Sequence, residues 1–291
     1  MALSGHKATV HSPSKGQFLV SRVPVRDNLR ASIDAAVKLI GGFHRIIDPD
    51  DVVTIKPNMN TSDPYPASSD PQFIKALGEA ILDAGAGKLR IIESSMTGTA
   101  TREIAAKIGL TPVAEELGAE LIFLDEHAWI KQEIPRGKYL KRAAIAEAAL
   151  NPGKLILAPC LKTHQFARFT ASMKLLLGLM KPQYRIRSHL HRLQYKLVDL
   201  ATFFHPALIV MDARKCFVTG GPRAGQVETP NVILASRDMV AIDVEGVKIL
   251  QGYDAPNRLD LPVWELPQIK HAVALGLGAK SEADIQLIEP K

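Results

Sequence analysis

Cysteine is scarce in this chain, and Cys160 and Cys216 are its only two thiols. Two cysteines cannot build a disulfide framework or a four-thiolate cluster. They read as reduced, buried thiols in a cytosolic protein. Long apolar runs are also missing. No stretch of about 18 apolar residues occurs, so no membrane-spanning helix is expected. Met1 to Lys7 lacks the apolar centre of a secretory signal, and a cytoplasmic location is expected. Aromatic residues amount to 5%, which leaves little stacking surface for a nucleic acid. The net charge of +6 is mild for the length, so nucleic-acid binding ranks low.

Several catalytic signatures are absent too. No His-Glu-x-x-His or paired-cysteine metal motif occurs, and no Gly-Lys-Ser/Thr follows a glycine loop. Ser94 and Ser95 lack the nucleophile-elbow pattern of a serine hydrolase.

What is present is an ordinary globular composition, 46% apolar and 23% charged over 291 residues. Strand and helix patterns alternate. Gln17 to Val23, Asp51 to Ile55, Leu89 to Ile92, Glu120 to Leu124, Leu155 to Ala158, Ala207 to Met211 and Asn231 to Ala235 read as strands. Helices are expected over Arg26 to Ile40, from Pro71 with Asp70 as N-cap, near Arg102 to Ile108 and near Val113 to Leu117. Others are expected over Ala143 to Leu150, over Ser188 to Phe204 and after Asp238. The tail holds a short helix near Gln268 to Leu275 and a last strand at Ile285 to Ile288. This alternation predicts an α/β fold, a mostly parallel, doubly wound sheet with helices on both faces. Residues 126–142 read as a small irregular excursion. With no linker or repeat in view, one domain over 1–291 is expected.

The chain is organised around Leu155 to Lys181. An apolar strand breaks at Pro159 into the polar run Lys162-Thr163-His164, and a helical pattern then puts Lys174, Gly178 and Lys181 on one face. Three other strand ends are polar: Lys56 with Asn58, Ser94 with Ser95, and Asp212. In a parallel sheet such ends share the edge where ligands bind. Lys56 and Lys162 each follow a buried run, which favours point charges aimed at a carboxylate or phosphate over surface lysines. His164 has a pKa suited to proton transfer, and a metal ligand or a loop donor is equally consistent with its position.

Between Lys174 and Lys196 the chain carries Lys181, Arg185, Arg187, Arg192, His189 and His191 and no acidic residue, a field that attracts an anion. On a helix His189 and His191 would diverge by about 200°. His191 is the better site candidate, with His189 read as a solvated helix-end residue. The loop from Gly220 and Gly221 to Arg223 and Gly225 is either a tight turn or a backbone nest for an anion.

In order along the chain, V-T-I-K-P-N-M (Val53 to Met59), I-I-E-S-S (Ile91 to Ser95), A-P-C-L-K-T-H (Ala158 to His164) and S-M-K-L-L-L-G-L (Ser172 to Leu179) resemble a bacterial and archaeal family. So do I-V-M-D-A (Ile209 to Ala213), G-G-P-R-A-G (Gly220 to Gly225) and L-A-S-R-D-M-V-A-I-D (Leu234 to Asp243). The family is catalogued as domain of unknown function 362, and the resemblance runs over roughly residues 20–252. Many members carry an added ferredoxin-type segment. This chain does not, so no iron–sulfur cluster is expected, and a metal or a phosphorylated cofactor stays open. The family usually has Asn where this chain has Leu175. The resemblance implies a fold similar to the substrate domain of lactate-racemase-like proteins, which handle small hydroxy acids with a nickel-pincer nucleotide. None of the nickel ligands is carried over.

The expectation is an enzyme, of isomerase or oxidoreductase type, acting on a small anionic substrate or cofactor. Lys56, Lys162 and His164 are the candidate catalytic residues. Asn58, Ser94, Ser95, Thr163, Lys174, His191, Asp212, Gly220, Gly221 and Arg223 are the candidate binding residues. A non-catalytic binding protein using the same site is the alternative. Homo-oligomerisation is left open.

Overall fold

The computed structural model describes residues 17–290, so the reading of Met1 to Lys7 lies outside the described residues. In chain order the first elements are β1 (Phe18–Pro24), α1 (Leu29–Leu39), β2 (Val52–Pro57), α2 (Pro71–Asp83), β3 (Lys88–Glu93), α3 (Thr101–Ile108), α4 (Leu110–Glu116) and β4 (Glu120–Phe123). Next come β5 (Trp129–Glu133), β6 (Arg142–Ala146), β7 (Lys154–Ala158), β8 (Lys162–His164), β9 (Arg168–Thr170), α5 (Ser172–Leu175), α6 (Pro182–Leu190) and α7 (Leu193–Ala201). The chain closes with β10 (Leu208–Ala213), β11 (Cys216–Phe217), β12 (Val227–Glu228), β13 (Val232–Ser236), α8 (Met239–Gln251), α9 (Pro267–Ala274) and β14 (Ile285–Ile288).

Eight strands form one sheet in the order β14-β1-β13-β10-β7-β2-β3-β4. Every neighbouring pair is parallel except the two made by β13, which runs against β1 and β10. The α/β fold with a mostly parallel sheet is therefore as the sequence predicts. Helices cover both faces. Ile33 of α1, Ile74 of α2 and Val113 of α4 pack with Val53 and Ile55 in one apolar cluster. Met173, Leu197, Ile242 and Ile269, from α5, α7, α8 and α9, pack with Leu157 and Met211 in another. Alternate residues of β7 feed opposite layers, Leu155 and Leu157 one and Ile156 and Ala158 the other, as the two-residue side-chain period of a strand requires.

From β2 the chain winds outward through β3 to β4, and from β7 it winds the other way to β10. The crevice between the carboxyl ends of β2 and β7 is therefore a topological switch point, the place where α/β sheets bind ligands.

Four local expectations are corrected. Ala143 to Leu150 is not a helix. Residues 142–146 pair with β5 as an antiparallel strand, followed by a 3-10 turn at Glu147–Ala149. Alanine has the highest helix propensity, but propensity is a weak determinant, and burial of Ala143 to Ala146 against the core overrides it. Ser188 to Phe204 is not one helix. Arg192 adopts φ 58° between α6 and α7, a left-handed turn that stops helix propagation. Leu190, expected on the buried face, is 67% exposed. Lys174, Gly178 and Lys181 do not share a helix face. Helix α5 passes into a 3-10 turn over Leu176–Leu179, and Lys181 is the extended residue that caps α6. The polar run after Pro159 is not a loop but strand β8, paired with β9 in a hairpin.

Candidate functional site

Strand β2 ends by delivering Lys56 into the interior at 1% exposure. Its ammonium lies 2.7 Å from Glu93 Oε1 at the end of β3, and Glu93 is equally buried. Burial pulls the Lys56 ammonium below its ordinary pKa, and the Glu93 carboxylate opposes that pull. Glu93 Oε1 also accepts from the Ser94 N–H at 2.8 Å, and Oε2 from the Met59 N–H at 2.8 Å. The carboxylate thus ties the two strand ends together. Gly178 packs directly over the pair, where a Cβ would come within 2.9 Å of Glu93 Oε1 and of Lys56 Nζ.

The β8–β9 hairpin supplies the facing wall. Lys162 is also 1% exposed. It donates to the carbonyls of Pro66 at 2.9 Å and Ala67 at 2.5 Å and forms no ion pair among the described residues. Burial pushes its pKa down to about 8. Lys174, on α5, makes no hydrogen bond or ion pair among the described residues. Burial and the neighbouring Lys162 and Arg185 charges push it down to about 7. Helix α6 brings in Arg185, which is 8% exposed. Its guanidinium donates to Ser94 O, Ser94 Oγ and Ser95 O, each at 2.8 Å. These acceptors are neutral, and burial lowers the Arg185 pKa.

Two imidazoles face each other with ring centroids 6.3 Å apart. His164 Nδ1 accepts from the Phe166 and Ala167 N–H groups, both at 3.1 Å. That bond geometry needs a lone pair on Nδ1, so in the neutral ring the proton sits on Nε2. Burial, reinforced by Lys174, drives the His164 pKa far below its ordinary value. His164 is therefore a neutral Nε2–H donor. His189 has the opposite arrangement. Its Nδ1 lies 2.8 Å from the Arg185 carbonyl, an acceptor only, so Nδ1 carries the proton and Nε2 the lone pair. Burial also lowers its pKa.

These side chains line one cleft of about 320 Å³, together with Asn58, Thr61, Gln165, Phe166, Thr170, Leu175, Pro222 and Arg223. Of the sequence candidates, Lys56, Asn58, Ser94, Lys162, His164, Lys174 and Arg223 meet there. Arg223 stands at the mouth, paired to Asp63 at 2.6 Å. The others lie outside. Ser95 Oγ donates to Met59 O, and Thr163 Oγ1 donates to Phe217 O. Asp212 is buried against the Tyr65 hydroxyl and the Arg214 guanidinium. Gly220 and Gly221 shape the loop beneath Pro222, with Gly221 N–H donating to Ala224 O at 2.8 Å. His191 is exposed at the break after α6, and His189 is the histidine that reaches the cleft.

The sequence reading left Glu93 out of the site, named Arg185 only within a basic field and read His189 as a solvated helix-end residue. Glu93 had a visible signal as the residue just before Ser94 at a strand end. Arg185 and His189 share a face at i, i+4, but helix α6 itself carried no clear apolar stripe to reveal it.

Among the described residues no group of three or more His, Cys, Asp or Glu side chains could hold a metal ion. The cleft's ammonium and guanidinium groups suit a phosphorylated group better than a bare cation.

Fold and cleft together define an α/β protein with a cationic site at the switch point of its sheet. The chain belongs to the family described as Domain of unknown function (DUF362), which matches residues 53–248. It is 24% identical over 238 residues to the "Thylakoid-associated protein sll1697" of Synechocystis sp., covering 77% of this chain and 70% of that protein. Its structure is similar to that of the lactate racemase apoprotein from Thermoanaerobacterium thermosaccharolyticum, with a TM-score of 0.51 and 14% identity. The match covers 81% of this chain and 57% of the racemase, so this chain spans little more than half that protein's length. At this identity the likeness concerns the fold. No described helix is long and apolar enough to cross a membrane.

Proposed function

We propose that the protein is an enzyme of isomerase or oxidoreductase type that binds a small anionic substrate or cofactor in this cleft. The observation that carries the reading is the pairing of complementary imidazoles inside a cationic wall. His164 offers a hydrogen and His189 a lone pair, while Lys162, Lys174 and Arg185 form no ion pair among the described residues. A site that only stored an anion would need the charges and not the oppositely protonated rings.

In this reading Lys162 and Lys174 hold the anion, and the Asn58 carboxamide and His164 Nε2–H orient it. His189 Nε2 takes up a proton from the substrate as general base. The Lys56–Glu93 pair is the scaffold beneath, and His164, with its Nδ1 lone pair occupied by backbone N–H groups, orients and does not abstract. The resemblance of the fold to a lactate racemase supports, by analogy alone, a reaction at a carbon bearing a hydroxyl or carbonyl next to the anionic group. A phosphorylated cofactor would be held by the same lysines.

The test is proton exchange. Small 2-hydroxy and 2-oxo acids and sugar phosphates are incubated with the protein in D2O and followed by proton NMR. Loss of a C–H signal or interconversion is expected for one class, and His189→Gln should reduce it by about 100-fold or more with binding retained. Binding without any exchange or turnover across these classes would make the protein a carrier.

A further inference from the structure

We infer that the ligand of this cleft carries a phosphoryl group with two negative charges, seated between Lys162, Lys174 and Arg185. The inference rests on the cleft being the functional site, and it deepens that reading by naming the ligand class.

Charge is the first argument. Five cationic side chains line the cleft: Lys56, Lys162, Lys174, Arg185 and Arg223. Glu93 neutralises Lys56, and Asp63 neutralises Arg223. Lys162, Lys174 and Arg185 form no ion pair among the described residues. Burying unmatched cations is costly unless a counter-charge arrives. With both lysines protonated on binding, a monocarboxylate would leave two of the three unmatched, whereas a phosphate monoester brings up to two negative charges.

Donor geometry is the second. The two-pronged fork of arginine recognises carboxylate and phosphate alike. That fork is already spent here, because Arg185 donates to Ser94 and Ser95. The free donors are ammonium groups, point charges of the kind that bind phosphate. Lys174 has no hydrogen-bond or ion-pair partner among the described residues.

The third argument is polar surplus. Thr170 Oγ1 is buried on the cleft wall without a hydrogen-bond partner. It stands on β9, opposite Lys162 in the hairpin register. Buried hydroxyls are seldom left unmade, and a phosphoryl oxygen beside Lys162 would satisfy this one. Three terminal oxygens would then face two ammonium groups, the Thr170 hydroxyl and the His164 Nε2–H. Met59, Phe166, Leu175 and Leu177 form an apolar remainder of the wall, enough for a small organic portion.

Isothermal titration calorimetry at pH 7.5 and constant ionic strength tests this with inorganic phosphate, malonate and acetate as probes. Phosphate should bind at least tenfold more tightly than acetate and more tightly than malonate. Lys162→Met and Lys174→Met, checked for folding by thermal unfolding, should each weaken phosphate tenfold or more. Thr170→Val should weaken it severalfold. Acetate binding as tightly as phosphate, with dependence on Lys174, would overturn the phosphoryl assignment and leave the anion site standing. Malonate binding at least as tightly as phosphate would overturn it in favour of a dicarboxylate. Phosphate binding that survives both lysine substitutions in folded protein would move the ligand elsewhere and overturn it. No binding by any probe would remove both the inference and the reading beneath it.

Discussion

A methyl group at position 178 would sit within 2.9 Å of the Glu93 carboxylate and the Lys56 ammonium, so at the scale of single residues the cleft floor depends on an absent side chain. Gly178→Ala should destabilise the fold by about 1–3 kcal/mol through overpacking. Glu93→Gln should cost about 3–5 kcal/mol, because it strands a buried ammonium. Urea unfolding measures both, and two changes below about 0.5 kcal/mol would contradict the role given to the pair.

The lysines of the opposite wall make a pH prediction. Lys174 is held down to about 7 and Lys162 to about 8, against an ordinary 10.5. Unfolding lets them bind protons more tightly, so stability of the free protein should rise with pH above 7. Buried Cys160 and Cys216, both pushed above their ordinary 9.0, reverse the trend once free thiols ionise. The clean window is therefore pH 7–8. Denaturant unfolding across it should show a positive slope in wild type and a smaller one in Lys174→Met. Equal slopes would contradict the account.

Residue by residue, legibility followed chain proximity. Lys56, Lys162 and His164 were readable because each stands at or shortly after the end of a buried apolar run. The tautomers of His164 and His189 were not, since they depend on which backbone groups the fold presents to each ring.

At the scale of elements, the site is assembled by a hairpin and a short helix that sequence periodicity describes poorly. Strands β8 and β9 have three residues each, too few for a period to declare itself. Helix α6 has exposed Ile186 and Leu190 and a buried Arg185, an inversion of the usual amphipathic pattern. The larger elements were legible. Asp70 and Asp238 cap α2 and α8 through bonds of 2.9 Å and 2.7 Å, in keeping with the Asp-Pro start of α2 and the place of Asp238 before α8. The hairpin is pinned by the glycine loop. Gln165 N–H donates to Gly221 O at 3.3 Å, and at φ +67° a Cβ on Gly221 would collide with the Thr163 carbonyl. Gly221→Ala should therefore cost about 1–3 kcal/mol by chemical denaturation. It should also weaken phosphate binding, because the hairpin carries Lys162 and His164. Unchanged stability would contradict the packing described for the loop.

For the whole molecule, the order of strands decides where chemistry can happen. The alternation of strand and helix patterns made a parallel sheet legible. It did not reveal that β13 runs antiparallel between β1 and β10, because the pattern of one strand does not encode its direction. The switch point between β2 and β7 then brings together residues from Lys56 to Arg223, across most of the chain. Ligand occupancy should be felt globally. An anion held at about 100 times its dissociation constant should stabilise the fold by about 2.7 kcal/mol.

In the proposed site Lys162 and Lys174 stay partly unprotonated until an anion arrives. Sulfate tests this well, since it does not itself titrate near neutral pH. Calorimetric titration with sulfate at pH 8, in buffers of different ionisation enthalpy, counts the protons taken up on binding. The account predicts uptake of about one proton per sulfate, reduced in Lys174→Met. Binding with no proton uptake, or uptake unchanged by that substitution, would contradict it.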